Sequence, residues 1–158
     1  MIYLDSSALM KLVRREDETA ALADWLSVRH EQPTVTSELG RVEVLRAARR
    51  VGGQATVEAR AVIGDLDLVP LDRAVQDLAC DIADPPLRTL DALHLASAIL
   101  LSEALTTFVA YDDRLVAAAE AAGLAVAAPG RHSPAPGEMP RSNFDRESSG
   151  GLADPEPG

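Results

Sequence analysis

The first twelve residues, MIYLDSSALMKL (1–12), decide the fold class. Ile2-Tyr3-Leu4 is a compact apolar run of strand type, and Ser6 or Ser7 can cap a helix that runs to about Arg14. The chain passes from strand to helix through one acid, Asp5. Working outward, the same alternation recurs. Short strands are expected at Thr34–Thr36, Asp67–Leu71, Thr106–Tyr111 and Leu124–Ala127. Helices are expected over Glu18–Arg29, from the Ser37 cap to Val51 with Gly52-Gly53 closing it, and over Gln54–Gly64. Further helices run from the Asp72 cap to about Ala83 before Pro85-Pro86, from the Thr89 cap through Leu90–Ser102, and from Asp112 to Ala122 before Gly123. Helices separate all the strands, and no Asn-Gly-type hairpin turn occurs. That pattern predicts an α/β fold, a parallel sheet with helices on both faces.

The chain has 158 residues, one domain's length, and 47% of them are apolar, which excludes wholesale disorder. Cys80 is the sole cysteine. It can support neither an intramolecular disulfide nor a zinc site of paired cysteines, and it suits a reducing cytoplasm. The longest apolar-rich stretch, Leu90–Leu101, contains Asp91 and His94 and is too short to span a membrane. No basic region precedes the first apolar residues, so no signal peptide is expected. Composition breaks at Pro129, after which fall six of the ten prolines (counting Pro129 itself) and five of the ten glycines. The folded unit is therefore expected over 1–128, with 129–158 a disordered Pro/Gly-rich tail.

In open α/β sheets ligands bind beyond the carboxyl ends of the strands, where the strand order reverses. Asp5 follows the first expected strand and Asp112 the fourth. Either can equally be a helix cap. Asp91 opens an apolar helix, where a carboxylate favours the positive end of the dipole but needs a partner if buried. Glu43 lies mid-helix between Val42 and Val44, and its ordinary use would be a salt bridge to Arg46 or Arg50. Four acids from separate elements can converge to hold a hard cation such as Mg2+ with water completing the shell. A two-metal cluster of that kind can activate water and stabilise the leaving oxygen of a phosphodiester.

Four blocks carry a resemblance: MIYLDSSALMKL, SELGRVEVLRA, LRTLDALHLASA and VAYDDRLVAAAEAAGL. In this order, across about residues 1–128, they resemble the signature blocks of PIN-domain nucleases, and more narrowly the VapC toxins of type II toxin–antitoxin systems. The resemblance implies that Asp5, Glu43, Asp91 and Asp112 are the metal-binding catalytic acids. It makes Ser7 a hydroxyl that lines the site and Asp113 an accessory acid. It further implies a PIN-like three-layer fold with a five-stranded parallel sheet and the first strand central. The activity it implies is Mg2+-dependent endoribonuclease action, with Mn2+ able to substitute, on structured RNA such as transfer or ribosomal RNA. The implied partners are a VapB-type antitoxin and a second copy in a homodimer. Two departures stand out: Ala110 replaces a hydroxyl common before the Tyr-Asp pair, and the tail has no counterpart.

The acidic balance, −10 overall and −8 over residues 1–128, opposes nucleic-acid binding by bulk charge. Arg41, Arg46, Arg49, Arg50 and Arg60 concentrate positive charge in one helical region, unless Glu38, Glu43 and Glu58 pair with them. A haloacid-dehalogenase-like phosphatase would need an acid where Ser7 stands. A receiver-like signalling domain would need a lysine after a late strand, and the only lysine is Lys11. A non-cleaving RNA-binding PIN module would have no use for four acids that repel phosphate. His94 is expected to be a packing histidine, Cys80 a buried small apolar residue, and Trp25 and Phe108 core anchors.

Overall fold

The computed structural model describes residues 1–82 and 87–131. Five parallel strands, β1 (Ile2–Leu4), β2 (Thr34–Ser37), β3 (Asp67–Val69), β4 (Thr107–Val109) and β5 (Val126–Ala127), form one sheet in the order β3-β2-β1-β4-β5. Seven α-helices of the described residues connect them: α1 (Ser6–Val13), α2 (Thr19–Ser27), α3 (Glu38–Val51), α4 (Gly53–Gly64), α5 (Arg73–Asp81), α6 (Thr89–Leu100) and α7 (Asp113–Ala121). The expected α/β class and its central first strand are both present. β1 leads to β2 on one side and lies beside β4 on the other, so the strand order reverses at the carboxyl end of β1. Asp5 stands at that point.

Strand alternation divides the core. Ile2, Leu4 and Val109 face one way and pack with Leu9, Leu22, Val44 and Ala59 beneath α1–α4. Tyr3 and Phe108 face the other way, stacked 5.2 Å apart, and pack with Val35, Leu95 and Leu115 beneath α6 and α7. Phe108 is thus the core anchor expected of it. Trp25 is half-buried instead, its ring covered by the Arg29 guanidinium at 4.0 Å.

Several local expectations are corrected. Cys80 is exposed, because α5 meets the core through Val75, Leu78, Ala79 and Ile82, a spacing that leaves position 80 outside the stripe. The apolar helix α6 is buried along its middle, while Leu90 and Leu100, near its two ends, are each 46% exposed. Thr89 is the first residue of α6 rather than its cap, and no side chain caps that helix. Pro85-Pro86 lies outside the described residues. The break in composition at Pro129 does not mark the end of packing. The Tyr111 hydroxyl donates to the Pro129 carbonyl at 2.8 Å, and Arg131 pairs with Asp113. The tail from 132 onward lies outside the described residues. None of the described helices is long and apolar enough to cross a membrane.

Candidate active site

Asp5 leaves β1 in an extended conformation and caps α1, its Oδ1 accepting from the Ala8 N–H at 2.8 Å. The same oxygen accepts from the Ser7 hydroxyl at 2.7 Å, and Ser7 Oγ in turn accepts from the Tyr111 N–H at 2.9 Å. Ser7 therefore ties the end of β1 to the turn that carries Asp112. Burial pushes the Asp5 carboxyl above the ordinary aspartate range, against the lowering effect of those hydrogen bonds. Asp112 caps α7 in the same manner, with Oδ1 accepting from the Arg114 and Leu115 N–H groups at 3.0 and 3.1 Å. Both aspartates are thus helix caps. The capping bonds of both aspartates engage Oδ1 alone.

Asp91 lies in the first turn of α6 and is likewise pushed up, by partial burial and then by the charge of Asp112, with Glu43 adding to it. Arg88 and His94 oppose the shift. Asp91 therefore sits in the electrostatic field of two of the other three acids. Their separations along the chain, 21 and 48 residues, show that the fold and not the local sequence brings them together.

Glu43 is half-buried on α3, and its partner is neither Arg46 nor Arg50 but His94, Nε2 to Oε2 at 2.8 Å. A carboxylate only accepts, so Nε2 carries the hydrogen. The Tyr3 hydroxyl lies 2.8 Å from the other ring nitrogen. His94 is 2% exposed, and Tyr3 stays a neutral phenol because burial pushes its pKa far up. Burial alone would raise Glu43 too, but the hydrogen bond and charge of His94 prevail and hold it below the ordinary glutamate range. The expected packing histidine is therefore also the residue that fixes Glu43. No signal in the sequence joins two side chains 51 positions apart.

Asp113 is 85% exposed and pairs with Arg131 instead of joining the other acids. Ala110 is buried among the residues packed on Tyr3 and Phe108, a place suited to a methyl group. Beside the acids, Ser6, Ser7, Glu43, Arg46, Arg50 and Leu90 line a cleft of about 460 Å³. Among the described residues, no three of His, Cys, Asp and Glu close into a preformed metal cage. The donors at the sheet's carboxyl end are all carboxylate and hydroxyl oxygens. That chemistry fits a hard divalent cation which keeps several waters in its shell, and it does not fit a softer ion.

The raised carboxyls give a signed pH dependence. A carboxyl raised in the native state binds a proton there that the unfolded chain has released. Its penalty is full above the native pKa and absent below the unfolded value of about 3.9. In EDTA, Asp5 and Asp91 should therefore lend stability as pH falls from 7 through their raised values. Lowered Glu43 contributes stability above its unfolded value and loses it only as pH falls through its lower native one. Asp5→Asn should melt higher than wild type at pH 7, with the difference shrinking towards pH 4. A constant difference across that range, followed by circular dichroism, would show that Asp5 bears no such penalty.

The PIN domain family profile matches residues 2–121. The chain is 46% identical over 133 residues to "Ribonuclease VapC35" of Mycobacterium tuberculosis, covering 83% of this chain and 98% of that protein. In fold it matches a chain of FitAB bound to the IR36 DNA fragment, with a TM-score of 0.66 at 17% identity and coverage of 85% and 99%. It also matches Mycobacterium tuberculosis VapC20, a sarcin-ricin-loop-cleaving toxin, with a TM-score of 0.64 at 18% identity and coverage of 82% and 100%. A match that runs from β1 through α7 and takes in Asp5, Glu43, Asp91 and Asp112, joined to this identity over nearly the full length of a relative, places the chain in the PIN-domain family as one of its VapC ribonucleases.

Proposed function

We propose that this protein is the toxin of a type II toxin–antitoxin pair, a cytoplasmic endoribonuclease that depends on Mg2+ or Mn2+ and cleaves structured RNA such as transfer or ribosomal RNA. The observation that carries the metal-dependent reading is the placement of oxygen donors at the carboxyl end of the sheet, where Asp5 and Asp112 cap adjoining helices joined through Ser7 and the charges of Asp112 and Glu43 bear on Asp91. Asp5, Glu43, Asp91 and Asp112 would hold the cation. When bound, the cation supplies water activation and neutralises charge at the phosphodiester.

The chain's own residues do the rest. Ser7 fixes Asp5 against the Asp112 turn, His94 fixes Glu43, and Arg46 and Arg50 offer positive charge on the cleft wall beside Glu43. A cognate antitoxin would act by covering this cleft, and a second copy would complete a homodimer. The test is incubation of total cellular RNA with the full chain. Discrete cleavage products should appear with millimolar Mg2+ or Mn2+ and disappear with EDTA. RNA retained but uncut under all conditions would favour a non-cleaving binding module.

A further inference from the structure

Arg41, Arg46, Arg49 and Arg50 on α3 and Arg60 on α4 are all exposed. Carboxylates on the same helices ordinarily neutralise such a face. Here those acids are engaged elsewhere. Glu38 accepts from the Leu71 N–H at 3.0 Å, Glu43 from His94 at 2.8 Å, and Glu58 from the Gln54 amide at 3.1 Å. Among the described residues none of the five guanidiniums is ion-paired. Five exposed arginines without an ion pair on one helical hairpin of an acidic chain are available to a partner from outside it.

Their placement indicates which kind. Arg46 and Arg50 line the cleft that contains Glu43 and Ser7. A second cleft, of about 180 Å³, is walled by Arg41, Arg46, Arg49 and Arg60 with Thr56, and has no acid on its walls. Arg46 belongs to both, so positive charge runs without a break from the acids outward between α3 and α4. Neither cleft has an aromatic side chain, so neither can stack bases. Exposed guanidinium forks instead match phosphate oxygens.

We infer that the α3–α4 cleft is a backbone subsite for a ribophosphate strand. The scissile phosphate lies at the acids, and the strand continues past Arg46 so that Arg41, Arg49 and Arg60 hold phosphates further along it. This rests on the ribonuclease reading above. The subsite overcomes the chain's net repulsion of RNA locally, and it holds backbone without reading bases.

The experiment measures binding without cleavage. The full chain and Arg41→Gln/Arg49→Gln/Arg60→Gln are titrated against a fluorescein-labelled 16-nucleotide single-stranded RNA in EDTA, at 50 to 200 mM NaCl. Each lost phosphate contact takes about 0.7 from the slope of log affinity against log salt, so three take about 2. Affinity at 0.1 M salt should fall by about 10- to 100-fold. The corresponding triple lysine variant keeps the charges and should keep most of the slope, and an unchanged melting temperature shows that the glutamine variant folds. An unaltered affinity and slope would overturn the subsite, as would loss of antitoxin binding with RNA binding intact. Cleavage of total RNA by wild type with Mn2+ is scored separately. Arginine-dependent binding without cleavage sinks the nuclease reading and leaves the subsite standing, whereas cleavage without arginine dependence sinks the subsite alone.

Discussion

Asp91→Asn is expected to abolish most cleavage while leaving the fold intact. Loss of a group that merely orients a metal ligand typically reduces affinity or activity by about 10- to 100-fold, so loss of a ligand itself should exceed about 100-fold. Asp91 is the acid on which Asp112 and Glu43 both act, and it is only partly buried, so the neutral amide can be accommodated without repacking. Two effects on metal-free stability oppose each other. Removing the charge relieves repulsion by two carboxylates, and it forfeits a favourable interaction with the α6 dipole of about 0.3–1 kcal/mol. The EDTA-treated variant should therefore melt close to wild type or above it. Millimolar Mn2+ should raise the melting temperature of wild type, since it binds only the native state, and should raise the variant's far less. Equal cleavage by the two proteins would remove Asp91 from the site. Equal Mn2+ responses would separate it from the metal.

What could be foreseen in the sequence follows from how local each feature is. The strand–acid–helix order at Ile2–Leu4, Asp5 and Ser6 depends on adjacent residues, and so does the absence of hairpin turns. The α/β class, the parallel sheet and the position of Asp5 at its carboxyl end were therefore legible. The capping and site readings of Asp5 and Asp112 looked like alternatives in sequence. The structure shows them to be compatible, because the capping bonds of each aspartate engage a single carboxylate oxygen. Glu43 shows the opposite limit. Helical spacing offered Arg46 and Arg50, but both arginines turn to the clefts and the carboxylate pairs with His94 from another helix. The exposure of Cys80 and Leu90 was hidden for a related reason. Residue type describes the average cost of exposure, whereas the covered stripe of a helix depends on what packs against it.

Gly40→Ala should destabilise the domain although it adds only one methyl group. Gly40 lies in the first turn of α3, and a Cβ there would fall inside contact distance of Thr36 Oγ1 and 3.1 Å from His94 Cε1. Neither neighbour can yield cheaply. Thr36 is β-branched, wholly buried and held in β2. His94 is held at both ring nitrogens, by Tyr3 and by Glu43. Overpacking of this kind costs about 1–3 kcal/mol. An alanine in a helix ordinarily gains up to about 1 kcal/mol over glycine, which offsets only part of that. The net loss should lower the melting temperature by several degrees, given about 2–8 °C per kcal/mol for domains near this size. Gly53→Ala is the control, since a Cβ at Gly53 meets nothing within 4 Å, and it should melt at or above wild type. The strain also reaches the site. If the added methyl displaces the His94 ring, Glu43 loses the bond that fixes its carboxylate, and cleavage by the still-folded Gly40→Ala protein should drop beyond what its unfolded fraction explains. Gly40→Ala with the melting temperature and cleavage rate of wild type would show that the α3–β2–α6 contact is loose, and that His94 does not hold Glu43 through it.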